Sequence, residues 1–176
     1  YSPGNHDVYK EWTPDAIAQP QKMSARLDDE FFCAEIEPES RKALECRHYL
    51  INDVHILGIL PIGRAPVVYT DEQIAWLDSR LAELTQAEPD RYVLVLTHPM
   101  IHDTVYGSLL GNYWETEALT ETLEKYPQAV TFSGHLHFPL NDPRSVWQGR
   151  FTAFGCGSVR YMAIEDGGYE NMAGKT

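Results

Sequence analysis

Two short motifs and one separate histidine could bind a metal in this chain. The sequence Gly-Asn-His-Asp occupies positions 4–7 and Gly-His-Leu-His occupies positions 134–137, each on a turn that a glycine permits. His98 lies between the motifs, just past an apolar run. Amide oxygens and imidazole nitrogens are ligands of divalent first-row metals. Their order in the sequence predicts one face of the site of a metal-dependent hydrolase.

The first motif also contains a candidate acid. Asn5 can give a carbonyl oxygen to a metal, and His6 stands directly beside Asp7. A neighbouring carboxylate fixes the tautomer of an imidazole and stabilises its protonated form. The alternative is an Asx turn, which Asn and Asp form routinely.

The second motif places two histidines two residues apart. In an extended segment His135 and His137 would point the same way. In a tight turn they would splay and reach two neighbouring ions, and Gly134 would permit the abrupt exit from the preceding strand. The alternative is a surface turn in which both histidines hydrogen-bond to the backbone.

Two buried strands are expected to position these histidines. Residues 92–96 form an apolar run without polar alternation, which predicts a strand that is buried on both faces. Residues 129–132 form a second such run and lead directly into positions 134–137. Open sheets bind ligands outside the carboxyl ends of their strands, which is where His98 and the second motif would lie.

Helical patterns alternate with these strands. Thr70 and Gln73 have the spacing of a capping box, and apolar residues follow at helical spacing. This apolar stripe consists of Ile74, Leu77, Leu81 and Leu84. A second helix is expected over residues 114–126. Strands and helices in this alternation predict an α/β layered core, and 176 residues suit a single domain.

The rest of the chain is predicted to be mostly strands and turns. Asn52 and Asp53 separate two apolar runs, which predicts a hairpin or, alternatively, one bulged strand, with His48 on the surface before it. Residues 145–164 are expected to form two or three strands, and residues 165–176 a frayed end.

Composition limits the classes of partner. The net charge of -12 disfavours long nucleic acid, although a bound metal pair could still attract a small phosphate ester. The apolar runs are far shorter than the ~20 residues of a membrane span, so no transmembrane segment is expected. Cys33, Cys46 and Cys156 are interpreted as buried thiols, with a disulfide between Cys33 and Cys46 as the alternative.

In order, spacing and strand context, the motifs resemble the calcineurin-like metallophosphoesterases over residues 3–137. That family has five short blocks, and the last three are Gly-Asn-His-Asp or Gly-Asn-His-Glu, a histidine after a buried strand, and Gly-His-x-His. The resemblance implies a four-layer double β-sandwich flanked by helices. It also implies hydrolysis of phosphate mono- or diesters by two divalent metal ions and a bridging hydroxide.

The family's site residues carry over position by position. By resemblance, Asn5, His98 and His135 bind one metal ion, and His137 binds the other. Manganese, iron, zinc, cobalt and nickel all suit such mixed oxygen and imidazole ligation.

The proton donor and one candidate substrate contact complete this expected site. By resemblance, His6 sits over the phosphate, with Asp7 behind it. His102 follows His98 by four residues in a loop and is a candidate contact to the substrate.

The first two blocks of the family, Asp-x-His and a Gly-Asp turn, should precede position 4 and are absent from the sequence. The chain is therefore interpreted as one phosphoesterase domain, 1–176, truncated at its N-terminus and at its C-terminus. Asp53-Val54-His55 has the Asp-x-His spacing but follows the first motif, so a strand or hairpin is expected there instead.

Two other classes of function remain open at the level of sequence. The first is a non-catalytic scaffold or binding module on the same fold. The second is an interaction domain whose histidines have no metal role, and it predicts no change in stability when metal is added.

Overall fold

The computed structural model describes residues 35–36, 46–61, 67–109, 116–158, 161–163 and 169–171. In these residues the chain forms a seven-stranded mixed sheet, a separate two-stranded sheet and two α-helices. The strands of the large sheet are β1 (Glu35–Ile36), β2 (Cys46–Ile51), β3 (Val54–Ile59), β4 (Val93–Leu96), β5 (Ala129–Ser133), β6 (Val146–Gln148) and β7 (Thr152–Gly155). The small sheet pairs β8 (Tyr161–Ala163) with β9 (Tyr169–Asn171), and the helices are α1 (Asp71–Ala87) and α2 (Glu117–Leu123).

The large sheet has the strand order β1-β2-β3-β4-β5-β7-β6. Its four central strands, β3, β4, β5 and β7, are parallel, and the outer pairings are antiparallel. The predicted α/β class is confirmed. Leu96 pairs with Phe132, so β4 and β5 end at the same edge of the sheet, which we call the carboxyl edge.

The hairpin between β2 and β3 resolves one alternative. Asn52 and Asp53 both have positive φ, 49° and 62°, as a two-residue hairpin turn requires. The turn makes Asp53 and His55 part of a hairpin, as expected.

The prediction that His48 lies on the surface is wrong: β2 begins at Cys46, and His48 is only 6% exposed. Its Nε2 lies 2.8 Å from Nδ1 of His55.

Helix α1 follows its predicted pattern closely. The capping box is present, because Thr70 accepts from the backbone of Gln73 and the Gln73 side chain accepts from the backbone of Thr70. Leu77 and Leu81 are fully buried against the sheet. The helix ends at Ala87, two residues before a proline.

Helix α2 is shorter than predicted in its described part. It ends at Leu123, and Tyr126 lies beyond it because the following proline disfavours helical backbone at that residue. The Tyr126 hydroxyl instead donates to the carboxylate of Asp78 at 2.6 Å, which ties the chain after α2 to α1. Trp114, the predicted start of the helix, lies outside the described residues.

The two faces of the sheet differ. Both helices pack on the face that carries Val93 and Val95, and these side chains are buried. On the opposite face Leu94 and Leu96 are only half-buried in the structure. The prediction that β4 is buried on both faces is therefore confirmed for one face only.

Two further expectations need correction. The segment 165–176 contains strand β9, so it is not simply a frayed end. Cys156 is exposed rather than buried, because it follows β7 at the point where the chain leaves the sheet; Cys46 is buried as expected. Cys33 lies outside the described residues.

In the described ranges, no helix has the length and apolar character needed to cross a membrane.

Candidate functional site

The exits of β4 and β5 lie side by side at the carboxyl edge. The backbone ladder continues past the strands: Thr97 N–H donates to the Phe132 carbonyl, and Gly134 N–H donates to the His98 carbonyl, both at 3.0 Å. Because the ladder fixes this register, the residues that follow the two strands are adjacent. His98 and His135 are therefore brought together although 37 positions separate them.

The two imidazoles are in direct contact. Nδ1 of His135 lies 3.0 Å from Nε2 of His98, and the rings meet edge to face at a centroid distance of 4.8 Å. The separation suits one hydrogen bond between neutral imidazoles. Two nitrogens bound to one tetrahedral ion by bonds of about 2.1 Å lie about 3.4 Å apart, so a shift of about 0.4 Å would let both imidazoles bind one ion.

The backbone around these nitrogens is unusual. His135 and His137 both have positive φ, 75° and 59°, which is rare for residues other than glycine. Each left-handed residue costs about 1–2 kcal/mol, and strain of this kind clusters at functional sites. Sequence reasoning assigned the turn to Gly134, but the left-handed conformations fall on the two histidines instead.

Tyr69 holds the backbone of His98. Its phenolic oxygen accepts the His98 N–H at 3.1 Å, and its ring belongs to the buried core. Burial raises the pKa of Tyr69, and the hydrogen bond from His98 opposes this only partly, so the phenol stays neutral. Tyr69 lies 29 positions before His98, and nothing in the sequence pointed to it.

A buried pair of hydroxyls joins the two strand ends beneath the histidines. Thr97 Oγ1 lies 2.9 Å from Ser133 Oγ, and the Thr97 hydroxyl donates to the Pro99 carbonyl at 3.1 Å. These residues were missed as site residues. A signal for them existed, since each is a small polar residue directly after an apolar strand run.

Thr131 lies two residues before Ser133 on β5. It provides a test of how a buried hydroxyl in this sheet affects stability. Its side chain is 0% exposed, and its hydroxyl has no hydrogen-bond partner in the described part of the chain. A buried unpaired hydroxyl costs about 1–3 kcal/mol, so Thr131→Val should raise the free energy of unfolding by about 1 kcal/mol. Urea denaturation at neutral pH measures this change.

The matched control is Thr97→Val, the same substitution at the bonded hydroxyl. It should lower the free energy of unfolding by about 1–2 kcal/mol, because Ser133 loses its partner. Equal effects of the two substitutions would contradict this account.

The remaining predicted residues have these positions. His137 is half-buried, and its carbonyl accepts from Ala163 N–H at 3.0 Å, which connects the second motif to β8. His102 is partly exposed, and its Nδ1 lies 3.4 Å from the carboxylate of Glu117. Asn5, His6 and Asp7 lie outside the described residues.

A pocket of about 590 Å³ lies between residues 103–109 and residues 143–147. Gly107 joins it to the second motif: a Cβ at this position would overlap the ring of Phe138 and lie 2.8 Å from Leu136 Cδ1. The wall of the pocket and the segment that carries His135 are therefore in tight contact.

Among the residues with described structure, no group of three or more His, Cys, Asp or Glu side chains could hold a metal ion. His98 and His135 thus form at most two ligands of such a site here. A comparison of the sequence with known protein families and with curated proteins finds no match.

Proposed function

We propose that the protein is an enzyme that hydrolyses small phosphate mono- or diesters with two divalent metal ions. The observation that carries the proposal is the contact between His135 Nδ1 and His98 Nε2 at the carboxyl edge. This contact is formed from two of the motifs that resemble the metallophosphoesterases, and His135 holds a left-handed conformation in it.

In this proposal the ligands would be shared between the two ions as follows. His98 and His135 would hold one ion, with Asn5 as a third ligand, and His137 would contribute to the second. The proposed ions, of manganese, iron, zinc, cobalt or nickel, would neutralise charge on the phosphoryl group and activate water.

The protein's own groups would hold these ligands in place. The phenol of Tyr69 fixes the His98 backbone, and the hydroxyls of Thr97 and Ser133 join the strands below it. His6, oriented by Asp7, would donate a proton to the leaving oxygen or hydrogen-bond to a phosphoryl oxygen.

The finer fold that we propose is the double β-sandwich of that family. Its support is the sheet face opposite the helices, where apolar residues are only half-buried. Phe132 and Phe154 stack there at a centroid distance of 5.1 Å. A second sheet packed on this face would complete their burial.

The test is metal-dependent hydrolysis. The protein is stripped with a chelator, reloaded with Mn²⁺ or Zn²⁺, and assayed with p-nitrophenyl phosphate and bis(p-nitrophenyl) phosphate. We expect activity only with metal. Mutation of a residue that hydrogen-bonds to a metal ligand already lowers metal affinity or activity about 10–100-fold. Because His98→Ala and His135→Ala each remove a ligand itself, each should lower activity at least about 100-fold.

His55→Gln is the matched control, since His55 lies near the start of β3, away from the carboxyl edge. It should retain activity. Turnover that survives both His98→Ala and His135→Ala would exclude the proposed site. Metal binding without turnover of either ester would instead favour the non-catalytic binding module.

A further inference from the structure

The pocket between residues 103–109 and residues 143–147 is a candidate for substrate recognition. Its volume, about 590 Å³, lies within the range of small-molecule sites, about 300–1,000 Å³. One wall is the segment 103–109, which follows His98 along the chain and packs through Gly107 on Phe138. The wall of the pocket therefore lies against the segment that carries the second motif.

Among the residues that the structure describes, the guanidinium that lines this pocket belongs to Arg144, and its charge is already compensated. Arg144 makes a two-point ion pair with Asp142, with Nη2 2.6 Å and Nε 3.0 Å from its carboxylate oxygens. Arg144 holds the pKa of that carboxyl at about 2, so the pair stays charged and compensated at neutral pH. The pocket consequently offers little net attraction for a second anionic group.

The same guanidinium forms a flat surface. Arg144 lies over the ring of Tyr106, with its Cζ 3.7 Å from the ring centroid. The Tyr106 ring packs in turn on the ring of Phe138, with the two centroids 4.1 Å apart. Guanidinium planes stack on aromatic rings, as the contact with Tyr106 shows, and the Arg144 side chain is half-exposed.

Two of the other lining side chains are apolar and open to solvent, and three more, those of Asp103, Thr104 and Ser108, are polar. Leu109 is 63% exposed and Val146 is 44% exposed, which is unusual for large apolar residues that share a concave surface with Trp147. Such side chains gain stabilisation only when a ligand covers them.

We propose that this pocket holds a neutral, planar aromatic group, the leaving group of the phosphate ester substrate. This inference rests on the proposed function. In the reaction the bond from phosphorus to the aromatic alcohol's oxygen breaks and a bond to a water oxygen forms. The leaving oxygen takes up a proton, which gives the free aromatic alcohol and phosphate.

The first experiment measures ligand binding to the pocket in the absence of metal and of catalytic turnover. Binding of 2-naphthol, which is planar and neutral at pH 7, is titrated by NMR beside cyclohexanol, which is apolar but not planar. We expect 2-naphthol to bind and cyclohexanol to bind weakly or not at all. Leu109→Ala and Val146→Ala should each raise the Kd for 2-naphthol about 5–10-fold, because both remove apolar contact area.

Leu140→Ala is the matched control, because Leu140 is 66% exposed and does not line the pocket. It should leave 2-naphthol binding unchanged. Absence of 2-naphthol binding, or an equal loss in all three variants, would overturn the proposal.

The second experiment links the pocket to catalysis. In the metal-loaded protein, Leu109→Ala should raise KM for 2-naphthyl phosphate about 5–10-fold and leave KM for ethyl phosphate unchanged. Equal effects on both esters would reject the leaving-group role. If no ester is hydrolysed, the proposed function fails, and the 2-naphthol titration alone decides whether the pocket binds an aromatic group.

Discussion

Gly107→Ala should lower the free energy of unfolding by about 3 kcal/mol. Gly107 has φ +83°, where an alanine costs about 1–2 kcal/mol. Its added Cβ would also overlap Phe138 and press on Leu136, and overpacking of this kind costs about 1–3 kcal/mol. The two costs arise from separate causes, backbone strain and side-chain overlap, so they add.

Urea denaturation measures this loss, and Gly58→Ala is its matched control. A Cβ at Gly58 would meet only Arg47 Cβ at 3.9 Å, an ordinary contact, and Gly58 lacks a positive φ. That substitution should leave the free energy of unfolding within about 1 kcal/mol of the parent, because alanine is at no disadvantage in this strand. If the two alanines destabilise equally, the tight contact of residues 103–109 with the second motif does not exist.

His135→Gly should be more stable than His135→Ala, although both lose the proposed metal ligand. At φ 75° glycine avoids the strain that alanine meets. The free energy of unfolding of the glycine variant should therefore be about 1 kcal/mol higher than that of the alanine variant. Both variants should bind Mn²⁺ or Zn²⁺ at least about 100-fold more weakly than the parent, because the Nδ1 atom is gone. Isothermal titration and urea denaturation measure the two effects separately.

The control for this pair is the same comparison at His98, which lacks a positive φ. There the order should reverse, with His98→Gly about 0.5–1 kcal/mol less stable than His98→Ala, because glycine loses more backbone entropy on folding. If alanine were the more stable variant at both positions, the strain at His135 would not be real. Unchanged metal affinity in the His135 variants would remove that residue from the proposed ligands.

Helix α1 and the strands β4 and β5 could be predicted from the sequence because their causes are local. The capping box of Thr70 and Gln73 joins residues three positions apart, and the apolar stripe repeats within one helix. The apolar runs before His98 and Gly134 are likewise continuous segments. The order of these elements was enough to predict the α/β class and the edge of the sheet where the histidines lie.

The burial of His48 and the exposure of Cys156 could not be predicted, because each depends on which strands pair. His48 lies in β2, which pairs with β3, and its own neighbours in sequence contain no sign of this pairing. The same holds for the Arg144 stack on Tyr106, which needs two loops to meet.

The sequence by itself determined the residue types, their order and the strands that deliver His98 and His135 to one edge. Only the tertiary structure decided that these imidazoles touch, that Tyr69 holds one of them, and that a pocket wall packs on Phe138, three residues after the other. The physical reason is the distance along the chain over which each interaction acts. Propensity, capping and periodicity act over a few residues, whereas the contact depends on the register of Leu96 with Phe132. That register is fixed by the packing of the whole sheet.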